Sequence, residues 1–173
     1  MSAKAYKLFR IKNGKLYPLY VLSNKETILG KWLPAEEGEL REDNKVKSKL
    51  GGLAYRPGWH CADLPYASHI GVRDADGTIA AQHPDTVWAE VLYEDRMNWQ
   101  KEANENGIIN GKFYARNAYL KHIPYGGFYR YKTSPLMTGD WIITSAIKVL
   151  RVLTNDEVAE ICRANNVEPQ PVL

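Results

Sequence analysis

A chain of 173 residues and 19.7 kDa, with 45% hydrophobic and 25% charged residues, has the make-up of a globular domain, and this argues against wholesale disorder. A formal net charge of +3 is too small for tight non-specific binding to nucleic acid, so nucleic acid is not the expected partner. No run approaches the ~18 apolar residues of a membrane span and the first residues lack an apolar signal core, so the expectation is a soluble, cytoplasmic protein with no membrane partner.

One domain over residues 1–173 follows from the length, large enough to bury about 70% of its unfolded surface. Eleven tyrosines against three phenylalanines, with five tryptophans, favour strands and amphipathic surfaces. Cys61 and Cys162 stand alone without a CxxC pattern, so two free thiols are expected.

In chain order, residues 5–11 and 16–22 read as two strands joined by Asn13-Gly14, the strongest short-range hairpin signal. Pro18 lacks an N–H, so the second strand should sit at an edge or break there. Residues 31–35 add a short strand, and the charged stretch 36–49 reads as a flexible loop. Short strands are expected at 53–56 and 67–73, and a turn at 74–77. Residues 87–93 form a firm strand, with Val87, Ala89 and Val91 on one face and Trp88, Glu90 and Leu92 on the other. Weak helical character over 95–107 ends at Asn106-Gly107, and Asn110-Gly111 marks a further turn. Strands follow at 128–133, 140–144 and 147–153. Thr154-Asn155-Asp156-Glu157 is a capping box that opens a helix striped by Val158, Ile161 and Cys162. Pro169 and Pro171 imply a frayed tail after residue 167. The expected fold class is α+β: a twisted, mainly antiparallel sheet with a C-terminal helix.

The stretch 51–69 concentrates chemistry. It holds Tyr55, Arg56, Trp59, His60, Asp63, Tyr66 and His69 on a backbone pinned by Gly and Pro, a mixture that suits a ligand-bearing loop more than apolar packing. Pro57-Gly58-Trp59 reads as a tight turn presenting His60. Its histidines show no HxH or HExxH spacing and Pro65 disfavours a helix that would align them, so no metal is expected.

Tyr55 and Tyr66, separated by ten residues after a glycine-led strand, resemble the tyrosine pair of the ADP-ribosyltransferase fold. That resemblance implies NAD as co-substrate, with the two tyrosines sandwiching its nicotinamide. It implies Arg10, in Tyr6-Lys7-Leu8-Phe9-Arg10, as the NAD anchor, and Asp140, in Asp140-Trp141-Ile142-Ile143, as the carboxylate that stabilises the charge developing as nicotinamide leaves. His60 completes the expected site, and a protein target is the implied acceptor. The chain departs from the pattern in having Asp in place of Glu, a proline where the helix after the first tyrosine should run, and no Ser-Thr-Ser triplet. Residues 53–71 with 140–153 also resemble an accessory domain of large multi-domain phage and mobile-element proteins, which implies a conflict or host-modification setting.

Two other readings stand beside this one. A metal-independent ribonuclease would use His60 and His122 as base and acid, with Arg130 or Lys132 on the phosphorane. Tyr129-Arg130-Tyr131-Lys132 alternates aromatic and basic residues, which suits stacking and phosphate contact, although a strand with its aromatics inward explains it equally. The third reading is a non-catalytic interaction module whose aromatic-rich loop binds a protein partner.

Overall fold

A computed structural model describes all residues except 1, 38–44, 47–52, 55, 69, 74–75, 77–78, 134–136 and 173. Strands dominate: β1 (Ser2–Lys12), β2 (Lys15–Tyr17), β3 (Trp32–Pro34), β4 (Lys45–Val46), β5 (Leu53–Ala54), β6 (Trp59–Ala62), β7 (Val72–Arg73), β8 (Ile79–Ala81), β9 (Thr86–Glu94), β10 (Met97–Asn98), β11 (Ile108–Ile109), β12 (Lys112–Phe113), β13 (Gly127–Tyr131), β14 (Trp141–Thr144) and β15 (Ala146–Val152). The helices are α1 (Gln100–Asn106) and α2 (Asn155–Ala164). The expected class holds: the chain is α+β, with a mainly antiparallel sheet and a helix at its C-terminal end.

The main sheet runs β10-β13-β14-β6-β1-β9-β15-β3, with β2 also paired to β1; among the described residues only β10 and β13 lie parallel within it. Strand β1 is its spine. It pairs with β9 from Ser2 to Arg10, and its other side meets β6 at Tyr6 and β2 from Arg10 onward. Asn13 and Gly14 take φ of 52° and 74°, the mirror-image turn that matches strand twist, and β2 stops at Tyr17, directly before Pro18. At the far border, β3 hydrogen-bonds to β15 on one side. There Pro34 carries no N–H, and the Leu33 carbonyl accepts a bond from the Trp59 indole at 2.9 Å.

Period-two alternation gives the sheet two buried faces. One face gathers Leu8, Ala62, Trp88, Tyr129, Tyr131, Trp141 and Ile143 against Ala103 of α1 and Val158 and Cys162 of α2. The other gathers Ala5, Phe9, Trp59, Cys61, Ala89, Val91, Tyr93, Ile142, Ile147 and Val149. Val87, Ala89 and Val91 share the second face while Trp88 lies on the first, as the sequence pattern implies. Each fully buried side chain of this size contributes roughly 1.5–3 kcal/mol. The thiols are both buried and free, Cys61 under one face and Cys162 under the other.

Several expectations change. The strand expected at 16–22 is only Lys15–Tyr17, and the helical stretch expected at 95–107 holds a strand at Met97–Asn98 before α1. Residues 59–62, expected to belong to a ligand-bearing loop with a tight turn at 57–59, form β6, a strand flanked on its two sides by β14 and β1. Of the strand expected at 67–73, only Val72–Arg73 is extended, paired with β8. The tail is docked rather than frayed: the Gln82 N–H donates to the Pro171 carbonyl at 2.8 Å, and Gln170 Oε1 accepts from the Ala67 N–H at 3.1 Å. Most of the loop expected at 36–49, and most of the turn expected at 74–77, lie outside the described residues. The helix at 155–164 and its capping box stand as read, with the Thr154 hydroxyl accepting from the Glu157 N–H and the Glu157 carboxylate from the Thr154 N–H. Among the described residues no helix is long and apolar enough to cross a membrane.

Candidate functional site

The register of β6 with β14 sets Ala62 opposite Trp141, so the residues at the next level, Asp63 and Asp140, meet at the end of the sheet. Their backbones are tied together. The Asp63 N–H donates to the Asp140 carbonyl at 3.3 Å, and the Asp140 N–H donates to Asp63 Oδ2 at 2.9 Å. Gly139, with φ of 73°, makes the turn before them possible, since a Cβ there would stand 3.2 Å from that of Asp63.

Strand β13 brings up two cations. Arg130 Nη1 lies 2.8 and 2.9 Å from the two carboxylate oxygens of Asp63 and 3.4 Å from Asp140 Oδ2. Lys132 Nζ lies 3.4 Å from Asp140 Oδ1 and also donates to the carbonyls of Met137 and Gly139. All four side chains are about a quarter to two-fifths exposed, so solvent screens each pair and a ligand can reach them. Two acids and two bases make the cluster electrically balanced.

The alternation behind this is visible in β13. Tyr129 and Tyr131 point into the helix-covered face, and Arg130 shares the opposite side with Ile142. Burial pushes the Tyr129 phenol up, and its oxygen accepts from the Leu120 N–H. Tyr131 donates to the Arg116 carbonyl. The Tyr-Arg-Tyr-Lys stretch is therefore a strand with its aromatics packed inward.

Segment 63–66 begins at the charged cluster and ends with Tyr66 half-buried against the helix-side core. Tyr66 thus turns toward the helix-covered face at the end of the sheet where Asp140 lies toward the other face. Tyr55 lies outside the described residues.

His60 is elsewhere. It points to the helix-covered face, edge-on to Trp141 with centroids 6.3 Å apart, and its Nδ1–H donates to the Gly58 carbonyl at 3.2 Å. Burial first, then the nearby Lys7 ammonium, pushes its pKa down to about 3, so the ring is neutral across the physiological range. Asp140 shares the opposite face with Ile142, so His60 is not beside the carboxylate it was expected to serve.

Arg10 is also distant. Asp63 stands level with Ala5 by register, which puts Arg10 five residues further along β1, about 17 Å. There its Nη2 donates to the Ser23 carbonyl at 2.6 Å and its guanidinium lies over the Tyr17 ring. The expected anchor is in use at another place.

His122 is exposed on the segment before β13 and faces Glu37 at 3.6 Å, while His60 faces inward; the fold does not pair them. Among the described residues, no group of three His, Cys, Asp or Glu is arranged to hold a metal ion.

Sequence reasoning passed over two arrangements. Lys7 sends its ammonium to the His60 carbonyl at 2.8 Å, above the rings of Trp59 and Phe9, and burial lowers its pKa. Burial likewise pushes the neighbouring Cys61 thiol up to about 11, so that thiol is no nucleophile at neutral pH. Arg56 stacks on Tyr131 at 4.5 Å and on Tyr119 at 5.2 Å. The four residues of β6 are too few for their alternation to have signalled either arrangement.

No protein-family model, curated protein or solved structure matches this chain.

Proposed function

We propose that the chain is an NAD-binding domain of the ADP-ribosyltransferase kind, active or degenerate, with its cleft at the end of β6, β13 and β14. The observation that carries this reading is the β6–β14 register, which sets Asp140 beside the segment leading to Tyr66.

The residue set differs from the one the resemblance implies. Arg130 and Lys132 take the phosphate-holding role assigned to Arg10, because they are the cations that stand against Asp63 and Asp140. Without ligand these cations are held by Asp63 and Asp140. A pyrophosphate would compete for them, and Asp140, relieved of Lys132, is then free to face developing positive charge. Tyr66 supplies one ring against the nicotinamide. His60, neutral and on the other face, takes no part. In an active form the acceptor is a protein target, which agrees with the resemblance to accessory domains of phage and mobile-element proteins.

The test is thermal. A ligand that binds only the folded state stabilises it, so millimolar NAD raises the melting temperature by several degrees. Arg130→Ala and Tyr66→Ala lose that shift. Asp140→Asn keeps it but loses any release of nicotinamide. Absence of the shift in the wild-type chain removes the reading.

A protein-binding role draws on a separate observation. The β11–β12 hairpin, turned by Asn110 and Gly111 at φ of 52° and 77°, leaves Ile108 and Phe113 both more than half exposed, with Ile109 and Tyr114 beside them. Apolar side chains on so short a hairpin mark a contact surface. A photocrosslinker placed at Phe113 tests it: a single captured protein that binds the purified chain, and no longer binds Ile108→Ser, supports a partner, and indifference to Ile108→Ser refutes this surface.

A further inference from the structure

Strand β10 leaves the main sheet one rung short of the charged cluster. It runs parallel to β13, with Met97 level with Gly127 and Asn98 level with Phe128. The Trp99 N–H then donates to the Phe128 carbonyl at 2.8 Å, and the chain turns into α1. The next residue of β13 whose peptide groups face this edge is Arg130. Opposite Ile142 of β14, its own N–H and carbonyl point away from β14 and toward α1.

Gln100, the first residue of α1, fills that place with its side chain. The Arg130 N–H donates to Gln100 Oε1 at 2.7 Å, and Gln100 Nε2 donates to the Arg130 carbonyl at 3.0 Å. A primary amide offers the same carbonyl and N–H as a peptide unit, so one side chain adds a rung after the main chain has gone. The amide is itself oriented. Its second hydrogen goes to Asn104 Oδ1 at 3.0 Å, and the Gln100 backbone N–H donates to Asn98 Oδ1 at 2.9 Å.

The residue held in this way carries the guanidinium of the cluster. Arg130 Nη1 spans both carboxylate oxygens of Asp63 and reaches Asp140 Oδ2. Its side chain is 40% exposed, so packing alone does not fix it, and the placing of the charge depends on the placing of the backbone. Ordered water could satisfy an edge N–H and carbonyl equally well. An amide bonded to both, and oriented by two asparagines, fixes position as well.

We infer that Gln100 is a positioning residue for Arg130, and that its amide, by gripping both peptide groups of that residue, sets the guanidinium against Asp63 and Asp140. Its consequence for a bound pyrophosphate rests on the reading of the cleft given above. Charge-assisted bonds are short and directional, so a loosened β13 edge weakens them even though Arg130 itself is unchanged.

The test is a double-mutant cycle of Arg130→Ala and Asp63→Asn, read by urea unfolding in the wild-type chain and again with Gln100→Met. Methionine keeps the length of the side chain and removes its hydrogen bonds. The coupling between Arg130 and Asp63 should fall to half or less in the Gln100→Met background. A Gln100 that only stabilises the fold would lower all four members of the cycle alike, and an unchanged coupling overturns the assignment. If Gln100→Met fails to fold, Gln100→Glu replaces it: the carboxylate keeps the acceptor for the Arg130 N–H but has no donor for the Arg130 carbonyl. It too should reduce the coupling, and wild-type coupling in that variant overturns the assignment. In an NAD titration, half-saturation for Gln100→Met should rise about three- to tenfold, and an unchanged value beside a binding wild-type chain also overturns it. Should NAD not bind the wild-type chain, the reading of the cleft falls, while the cycle, which contains no ligand, still decides the role of Gln100.

Discussion

The two ends of β6 present opposite chemistry on the same short strand. At Trp59 the chain enters an apolar hollow walled by prolines and leucines, and just beyond Ala62 it leaves through a balanced group of two aspartates, an arginine and a lysine. What differs is the neighbour each end meets. The Trp59 end is flanked by β3 and the loop after β2, both rich in Pro and Leu. The Asp63 end is flanked by the alternating aromatic and basic residues of β13. The contrast teaches that a site is made by what pairing brings alongside a strand, since β6 itself carries little of either chemistry.

His60, between the two ends, should give the largest effect. Its pKa is near 6.5 in the unfolded chain and about 3 in the fold. Below pH 6.5 the unfolded state takes up a proton that the native ring refuses, so stability falls by about 1.4 kcal/mol per pH unit until the native pKa is reached. Urea unfolding at pH 7, 5 and 4 should show this slope, and His60→Leu should flatten it. An unchanged slope in that variant would mean that the ring is not held neutral.

Gly58→Ala attacks the apolar end. Gly58 has φ of 129°, and a Cβ would stand 2.6 Å from Ile143 Cγ2 and 3.2 Å from the Thr144 carbonyl oxygen. The expected loss is about 3 kcal/mol or more by denaturant unfolding. Arg130→Ala attacks the charged end and leaves two aspartates facing each other, at about 1–2 kcal/mol. A double-mutant cycle with Asp63→Asn should recover part of that loss, because removing one charge relieves the repulsion the first change creates. Strict additivity would show the four charges to be independent.

Thr154→Ala touches neither end. It removes the capping box of α2 and should cost about 1 kcal/mol in a thermal melt, with the NAD response unchanged. Phe113→Ser on the exposed hairpin should change stability by less than about 0.5 kcal/mol, because that ring is already more than half in solvent.

Legibility followed locality. Asn13-Gly14, Asn110-Gly111 and the Thr154–Glu157 box are decided by residues a few positions apart, and all three appear where the sequence places them. Strand β9 was legible because seven residues alternate without a break. Strand β6 was not: four residues are too few for periodicity, and the Pro57-Gly58 signal before them dominates any local reading. Only pairing with β14 and β1, far away in sequence, makes that stretch extended. For the same reason Asp140 could be recognised as a residue opening a strand, while its partners Asp63, Arg130 and Lys132 could not be assembled around it. Arg10 shows the reverse limit, since a correct strand assignment leaves open which end of a long strand a residue occupies.

The border strand β3 carries one more consequence. An unpaired strand edge is a template on which a second molecule can add its own backbone, and repetition of that step builds fibrils. Here Pro34 stands at a position whose backbone faces away from β15, and it has no hydrogen to offer there. One proline therefore blunts the molecule's flank, and Pro34→Val, by restoring a donor, would turn it into a sticky margin.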